Sequence, residues 1–345
     1  MGLESKIIDK PEVGTAPRLA VVIPSFRAAS TIAQVLAAIG NAVERIYVVD
    51  DACPESSGAV ALALGDPRVE VLINLANLGV GGAVKRGYRA ALAQGMEIVV
   101  KLDADFQMDP AQIGRLIAPI VAGQADYAKG NRFAPPHLMP PETSDNSGAS
   151  RAMPGRRRLG NNLASFLHKA VTGHWHVLDP ANGFTAIDSR ALRLIDLDAV
   201  ADCYFFETDM LFQLNLIDAV VADVAIPARY NGEVSSLRLR HVIARYPLLG
   251  LKRCVRRLWT RYFIEDFNVA SLEIAIGLPL LLFGTVLGLV EWALALDQRT
   301  PATAGTVMLA ALPIILGFQM LLAAIGFDIA RRPTVPISRR VDEAC

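Results

Sequence analysis

The stretch IVVKLDADFQMDP at residues 98–110 decides the fold class of this chain. Its first three residues form an apolar run that is typical of a buried strand. Asp103 and Asp105 follow, and residues two apart in an extended segment point to the same side. Carboxylates placed in this way favour a hard divalent cation, Mg²⁺ or Mn²⁺, because such ions prefer oxygen ligands. A solvated turn, in which Asp103 or Asp109 only caps the following helix, accounts for the same residues and stays open.

The upstream sequence repeats this pattern of a short apolar run followed by polar residues. Strands are predicted at 19–23, 46–49, 69–73 and 98–100, and segments of helical spacing occur at 30–42 and 83–94. Their alternation predicts a parallel sheet covered by helices on both faces, with ligands bound beyond the carboxyl ends of the strands. Asp50, Asp51, Asp103 and Asp105 fall at such ends. Their charges would repel one another unless a cation or hydrogen-bond donors lie among them.

Five segments, namely IPSF, VVDD, NLGVGGAVKRGYRAA, DADFQMDP and GNRF, together resemble the ordered motifs of the family 2 glycosyltransferases. Within that family, the chain is most similar to the polyprenyl-phosphate (dolichol-phosphate) mannose or glucose synthases. The resemblance covers roughly residues 18–240. It implies an α/β catalytic domain with the GT-A fold, which is a Rossmann-like nucleotide-diphospho-sugar transferase fold. It also implies an inverting reaction that uses Mg²⁺ or Mn²⁺.

The same resemblance assigns the metal and donor sites. It implies that Asp103 and Asp105 hold the metal and the diphosphate, and that Gln107 completes the metal site. Arg27 and Ala28 stand where many members have Asn-Glu, which leaves the choice between uridine and guanosine donors open. The implied donor-binding residues are Pro24, Phe26, Asp50, Asp51, Asp103 and Arg229, of which Asp51 would contact the nucleoside and Arg229 the diphosphate.

Arginines flank a Pro-, Ser- and Gly-rich stretch at 134–155 that has the composition of a long loop. Guanidinium groups are suited to binding phosphate bidentately. The resemblance implies that Arg132 binds a lipid phosphate and forms the catalytic set with the two metal-site aspartates. Arg156 and Arg157 are also assigned to the acceptor, although a surface charge run accounts for them equally well.

Two acidic residues, Glu207 and Asp209, lie in a segment that resembles the acceptor-side helix of the family. Either carboxylate would act as a general base if the acceptor were an alcohol. A lipid phosphate is already anionic near neutral pH and needs no base. Both residues are therefore predicted at the acceptor site, with a role that depends on the acceptor.

The C-terminal part of the chain predicts a membrane anchor. The 345 residues carry no net charge and are 52% hydrophobic, and the charge-free runs at 274–290 and 303–327 concentrate the apolar excess. Each run is close to the length that crosses a hydrocarbon core of roughly 30 Å. Basic residues precede the first run and follow the second, so the positive-inside rule places both termini and the catalytic domain in the cytoplasm. Two buried helices of a soluble protein are the alternative.

Residues 238–266 interleave basic and apolar side chains, and Pro247 is predicted to divide them into two helices. Basic amphipathic helices lie in the membrane interface and favour anionic headgroups. Packing of the basic face on the protein's own domain is the alternative. The adjoining span makes lipid a simpler partner than nucleic acid.

Four further patterns argue against a Walker or dinucleotide site, a metal site and a signal peptide. The Gly-rich segment 79–87 lacks the spacing of a Walker loop or a dinucleotide fingerprint and predicts a tight strand-to-helix turn. The four cysteines have no metal-binding spacing and are predicted to be reduced thiols. His174 and His176 lack a third ligand and are predicted to be structural. Residues 1–17 are polar and predict no signal peptide.

The sequence thus predicts an N-terminal tail at 1–17, a GT-A domain at 18–237, basic amphipathic helices at 238–266, two transmembrane helices at 269–330 and a cytoplasmic tail at 331–345. The predicted activity is transfer of a sugar from GDP-mannose or a UDP-hexose to a polyprenyl phosphate at the cytoplasmic membrane face. Expected partners are the donor, the lipid acceptor and membrane lipids, but no nucleic acid, and a homo-oligomer stays open. Transfer to a hydroxyl of another lipid or a polysaccharide is one alternative, and a donor-binding scaffold subunit is another.

Overall fold

The structure is a computed structural model that describes residues 16–139, 155–227 and 239–344. Side chains are described for these ranges except at 136, 155–163, 239–245 and 341–344.

Within these ranges, seven strands form one sheet in the order β3-β2-β1-β4-β6-β5-β7. The strands are Leu19–Ser25 (β1), Arg45–Asp50 (β2), Val69–Ile73 (β3), Ile98–Lys101 (β4), Tyr127–Asn131 (β5), Thr185–Asp188 (β6) and Val221–Ala225 (β7). The four strands predicted from the apolar runs are confirmed.

The described helices alternate with these strands and then continue into a helical C-terminal part. They are Ile32–Ala38 (α1), Ser57–Ala63 (α2), Gly79–Ala93 (α3), Ile113–Val121 (α4), Gly155–Thr172 (α5), Ser189–Leu194 (α6), Phe206–Leu216 (α7), Leu239–Trp259 (α8), Val269–Gln298 (α9), Ala304–Ala330 (α10) and Ile337–Ala344 (α11).

Successive side chains of each strand point to opposite faces of the sheet, and both faces are buried. Val21 and Val100 pack with residues of α1, α2 and α4. Val22 and Val99 pack with residues of α3, α6 and α7. The prediction of a sheet with helices on both faces is therefore confirmed.

One strand departs from the predicted parallel sheet. β6 runs antiparallel to its neighbours β4 and β5, and Thr185 pairs with Lys101 on one side and with Lys129 on the other. The remaining strand pairs are parallel. A strand parallel to β4 and β5 would have to start at the edge of the sheet where those two strands start. The chain after α5 instead enters β6 at the opposite edge, where β4 and β5 end, so β6 runs in the opposite direction. The segment before β6 is thereby placed at the carboxyl edge of the sheet.

The helices α9 and α10 are long and apolar enough to cross a membrane, and they pack together as a hairpin. Only 11% and 17% of their most apolar 18-residue windows are buried inside the protein. Two core helices of a soluble protein would be mostly buried, so the predicted transmembrane hairpin is confirmed. The two helices meet through small residues seven positions apart, Gly277 and Gly284 on α9 and Ala310 and Gly317 on α10. The contact is close, since a Cβ at Gly317 would lie 2.6 Å from the carbonyl oxygen of Gly277.

The basic segment before the hairpin differs from the prediction in two ways. Pro247 lies inside the single helix α8 and does not divide it. Three arginines on one face of α8 and its continuation also pair with acidic residues of the protein: Arg253 with Asp209, Arg257 with Asp328 and Arg261 with Asp218. The basic face packs on the protein's own domain at these positions, while another face exposes Leu248, Leu251, Val255 and Trp259.

The residues after the hairpin return to the α/β domain. Asp328, near the end of α10, accepts hydrogen bonds from Trp175 Nε1 at 2.6 Å and from Tyr262 Oη at 2.7 Å. Ile337, at the start of α11, is buried in the core beside the sheet, and its N–H donates to Asp126 Oδ1 at 2.8 Å. The segment predicted as a tail therefore packs on the domain.

Candidate active site

The carboxyl edge of β2 carries two buried aspartates that organise the neighbouring loops. Asp50 accepts hydrogen bonds from the N–H groups of Cys53 and Gly58 at 2.7 and 2.8 Å. Asp51 accepts from Asn74 Nδ2 at 2.7 Å and from Gly79 N at 2.8 Å. These donors resolve the predicted repulsion, because each negative charge is balanced locally by N–H dipoles.

Phe26 lies just beyond the end of β1 and is 44% exposed at the same edge. The neighbouring Arg27 has φ 56°, and its guanidinium carbon lies 5.5 Å from the centroid of the Phe26 ring. Pro24 lies within β1, paired in register with Val49 of β2. The predicted donor residues of β1 and β2 therefore share one edge of the sheet.

The Gly-rich segment forms the predicted tight turn into α3, and its glycines permit close packing. Gly79 has φ +85°, and a Cβ there would lie 2.6 Å from the carbonyl oxygen of Asp202. The N–H of Gly81 donates to the same carbonyl at 2.8 Å. Lys85 pairs with the Asp202 side chain at 2.6 Å. These groups of α3 are thus engaged by the loop at Asp202.

Asp103 and Asp105 follow β4 at this edge, in the loop before α4. Asp103 Oδ1 lies 2.9 Å from Lys101 Nζ, and Asp105 Oδ1 accepts from Gln107 N at 3.0 Å. Phe106, between Asp105 and Gln107, has φ 61°. Asp103, Asp105 and Gln107 lie within this one short loop, and Gln107 is exposed.

These residues fit a hard cation that takes further ligands from a phosphate. No group of three or more His, Cys, Asp and Glu side chains capable of holding a metal occurs in the described part of the chain. Two carboxylates and an amide oxygen leave coordination positions for diphosphate oxygens, which is the mode that Mg²⁺ commonly uses.

Gly183, in the segment before β6, lies against the metal-site loop. A Cβ at this position would lie 2.9 Å from Asp103 Oδ2 and would collide with Lys101 Nζ. Lys101 Nζ also donates to the Gly183 carbonyl at 3.2 Å. Because β6 is antiparallel, this glycine meets the end of β4 directly, and a larger residue would require the Lys101 and Asp103 side chains to shift.

Beneath Asp103, two lysines share one glutamate. Lys101 Nζ lies 2.9 Å from Glu207 Oε1, and Lys129 Nζ lies 3.2 Å from Glu207 Oε2. The lysine side chains are 2% and 0% exposed, respectively, so both charges are removed from water. We name Lys101, Glu207 and Lys129 the lysine–glutamate bridge.

Burial and charge act in opposite directions on the pKa values of this bridge. Burial favours the neutral form of each group. For Lys101, Asp103 and Glu207 outweigh burial and raise the pKa of the ammonium group. For Glu207, Lys101 and Lys129 outweigh burial and lower the pKa of the carboxyl group. For Lys129, burial prevails and lowers the pKa, although Glu207 opposes it.

Arg132 follows β5 and is held by a buried carboxylate. Its Nε and Nη2 atoms donate to Asp179 Oδ2 and Oδ1 at 2.7 and 3.1 Å. The Arg132 side chain is 32% exposed, whereas that of Asp179 is 2% exposed. This bidentate pair holds a guanidinium group at the carboxyl edge, next to the segment that carries Gly183.

The remaining predicted acceptor residues are placed differently. Asp209 is buried, and its two carboxylate oxygens accept from Arg253 Nε at 2.7 Å and Nη2 at 2.9 Å. Arg156 and Arg157 lie in the first turn of α5, where only the backbone is described. Arg229, which is predicted at the donor site, lies outside the described residues.

Sequence reasoning did not assign a role to Lys101, Lys129, Asp179 or Gly183. A signal was present for the two lysines, because each directly follows a short apolar run, as Lys129 follows Tyr127 and Ala128. A lysine at such a position requires a buried partner. That partner could not be located without knowing that α7 packs on this face.

The family model described as "Glycosyl transferase family 2" matches residues 20–174. The polyprenol monophosphomannose synthase of Mycolicibacterium smegmatis is 30% identical over 211 residues, which are 59% of this chain and 75% of that relative. The chain belongs to glycosyl transferase family 2. The undecaprenyl-phosphate mannosyltransferase of Micrococcus luteus is 29% identical over 214 residues, which are 61% of this chain and 82% of that relative.

Solved structures agree with the GT-A fold. Glucosyl-3-phosphoglycerate synthase from Mycobacterium tuberculosis, in complex with Mg²⁺ and uridine diphosphate, has a TM-score of 0.51 and 20% identity over 69% of this chain and 80% of that chain. Mannosyl-3-phosphoglycerate synthase from Rubrobacter xylanophilus has a TM-score of 0.50 and 18% identity over 73% of this chain and 77% of that chain. The protein is thus a family 2 glycosyltransferase with a transmembrane hairpin.

Proposed function

We propose that this glycosyltransferase transfers one sugar from a nucleotide diphosphate sugar to a polyprenyl phosphate. The observation that carries the proposal is that both carboxylates predicted as a possible general base are paired with cationic side chains. Glu207 is held by two lysines and Asp209 by Arg253. An alcohol acceptor needs a base, whereas a phosphate does not. Two relatives, a polyprenol monophosphomannose synthase and an undecaprenyl-phosphate mannosyltransferase, support the same acceptor class by their names.

The proposed metal site comprises Asp103, Asp105 and Gln107. A bound Mg²⁺ or Mn²⁺ would supply charge neutralisation for the departing nucleoside diphosphate. The chain's own contribution is orientation, because Lys101 holds Asp103 from beneath and Gly183 limits the space beside it.

The proposed donor site lies along the ends of β1 and β2. In this proposal Asp51, which accepts hydrogen bonds from the start of α3, contacts the nucleoside, and Asp50 holds the adjoining loop. Pro24 and Phe26 form the wall at β1. Arg229 is retained as a diphosphate ligand on the resemblance alone. The donor is GDP-mannose or a UDP-hexose in this proposal.

Arg132 is the proposed ligand of the lipid phosphate, with Arg156 and Arg157 as further acceptor residues. One phosphate oxygen of the lipid attacks the anomeric carbon as the bond from that carbon to the nucleoside diphosphate breaks. Attack from the opposite side inverts the configuration. Asp179 keeps the Arg132 guanidinium at the edge of the crevice, where 32% of the Arg132 side chain is exposed, and a guanidinium group binds phosphate oxygens through its N–H donors.

The proposed orientation places the catalytic domain in the cytoplasm. Both ends of the hairpin contact the α/β domain, through Arg261 before it, which pairs with Asp218, and through Ile337 after it, which donates to Asp126. This supports both termini on one side of the membrane. Basic residues flank the hairpin on that side, as the positive-inside rule requires for the cytoplasm. We also propose that the exposed apolar face of α8, within 238–266, lies in the membrane interface.

The test is transfer from radiolabelled GDP-mannose, UDP-glucose and UDP-N-acetylglucosamine, each supplied with a polyprenyl phosphate or with the neutral polyprenol. We expect one donor to label the lipid phosphate and none to label the alcohol. Glycosylation of the polyprenol, together with its loss in Glu207→Gln or Asp209→Asn, would show that the acceptor is a hydroxyl and that the proposal is wrong.

A further inference from the structure

The lysine–glutamate bridge sits between the metal-site loop and the interior of the domain. Lys101 is the last residue of β4, Lys129 lies in β5, and both pair in register with Thr185 of β6 between them. Their side chains therefore point to the same face of the sheet. Glu207, in the first turn of α7, closes the gap between them with one oxygen on each ammonium group.

The charges in this region balance when Asp103 is included. Lys101 and Lys129 contribute two positive charges, and Glu207 and Asp103 contribute two negative ones. Lys101 Nζ is shared between the two carboxylates, since it lies 2.9 Å from Asp103 Oδ1 and 2.9 Å from Glu207 Oε1. Lys129 has a second acceptor in the carbonyl of Asn182. Removing one charge therefore leaves another buried without compensation.

We propose that Glu207 is a positioning residue for the metal-binding Asp103 and not a general base. Glu207 divides the charge of Lys101, so that Lys101 orients Asp103 Oδ1 without neutralising the carboxylate that must bind the cation. The inference rests on the proposed metal site and extends it to α7. Lys129 is fully buried and Lys101 nearly so, so the two lysines do not touch the substrate, and the Glu207 side chain between them is 14% exposed.

The amide of Glu207→Gln provides a sharp probe of this role. A glutamine can accept from one lysine through its carbonyl oxygen, but its NH₂ group must then face the other ammonium group. The Lys101 charge would fall more fully on Asp103 and would compete with the cation. Replacing Lys129 with methionine as well removes the conflicting donor and restores the charge balance, because one negative and one positive charge are lost together.

The experiment measures Mn²⁺ binding to the full chain in detergent by titration with an electron paramagnetic resonance readout, with GDP or UDP present. We expect Glu207→Gln to weaken Mn²⁺ binding roughly tenfold or more, and Glu207→Gln/Lys129→Met to return it to within about threefold of the wild type, as expected where paired charges are coupled. Turnover should follow the same order.

Asp188→Asn is the matched control, since Asp188 is a buried carboxylate that pairs with Arg190 at the other end of β6. It should leave Mn²⁺ binding unchanged. Thermal unfolding of each variant separates a folding defect from a binding defect.

A general base gives a different result. Glu207→Gln would then abolish turnover at unchanged Mn²⁺ affinity, and the double variant would stay inactive, which would overturn the positioning role. If the wild type itself bound no Mn²⁺ with either nucleotide, the proposed metal site would be wrong instead. The two failures are therefore distinguishable.

Discussion

At the scale of single residues, charge compensation governs the crevice. The acidic side chains described above at the carboxyl edge are each paired with N–H donors or with a cationic side chain, as Asp179 is with Arg132. Buried charges are tolerated when they are paired and hydrogen-bonded. Substitutions that remove a charge should therefore act on function more strongly when the partner is buried.

The first prediction concerns Asp105. Asp105→Asn removes one anionic ligand of the proposed cation, and we expect turnover to fall about 100-fold or more, since several kcal/mol of charge stabilisation are lost. EDTA should have the same effect on the wild type. Asp109→Asn is the control, because the Asp109 side chain caps the start of the next helix by accepting from Ala111 N, and it should retain most activity. Full turnover of Asp105→Asn in EDTA would contradict the metal site.

The second prediction concerns Arg132. A charge-assisted contact to phosphate contributes about 1.5–3 kcal/mol, so Arg132→Ala should raise the acceptor KM roughly tenfold to a hundredfold while the donor KM barely changes. Arg190→Ala, which removes an arginine that pairs with Asp188 at the opposite edge, is the control. Steady-state kinetics with both substrates varied provide the measurement. A rise in the donor KM alone would move Arg132 to the donor site.

At the scale of elements, small side chains set the packing of the hairpin. Gly277 and Gly284 on α9 face Gly317 and Ala310 on α10, and the contacts are too close for any larger side chain. Helices in lipid associate largely through such packing, because burial of apolar surface provides little net gain there.

The third prediction uses two glycines of α10. Gly317→Leu forces a side chain into the backbone of α9 and should lower the Tm of the protein in detergent, since overpacking costs about 1–3 kcal/mol. Gly326→Leu is the matched control, because no atom lies within 4 Å of a Cβ at that position. Its Tm should stay near that of the wild type. Equal shifts for the two variants would show that the helices do not pack as described.

At the scale of the whole molecule, several contacts join the α/β domain, α8 and the hairpin. Arg253 and Arg257 join α8 to the α/β domain and to the end of α10. Ile337 then enters the domain core beside the sheet. The hairpin is therefore anchored to the domain at both ends, and cooperative unfolding of the two parts is expected.

The fourth prediction concerns pH and His174, which lies between α5 and β6. Burial, reinforced by His176, lowers the pKa of His174 to about 3, against about 6.5 in an unfolded chain. The unfolded state therefore binds the proton more readily. The contribution to stability is fully present above pH 6.5 and falls as the pH decreases towards 3. The loss is about 2 kcal/mol between pH 6.5 and 4.5.

Thermal unfolding at several pH values measures this effect. His174→Gln retains a donor for the carbonyl of Leu211, which lies 3.0 Å from His174 Nε2, and it should flatten the decline in Tm below pH 6.5. His137→Gln, at an exposed position, should retain the wild-type pH dependence. An unchanged slope in His174→Gln would show that His174 is not the titrating group.

The amino-acid sequence by itself determined the first four strands, the order of the motifs and the membrane hairpin. Each of these depends on local periodicity or on unbroken apolar length, which neighbouring residues specify among themselves. The placement of Asp103 and Asp105 directly after β4 followed from the same local pattern.

Only the tertiary structure decided the direction of β6, the partners of the α8 arginines and the charge partners of Glu207. These features depend on residues far apart in the chain, since Glu207 lies 106 positions from Lys101 and 78 from Lys129. A carboxylate on an exposed helix and one between two buried lysines read alike in sequence. They differ chemically because burial removes water and leaves the neighbouring charges to set protonation and hydrogen bonding.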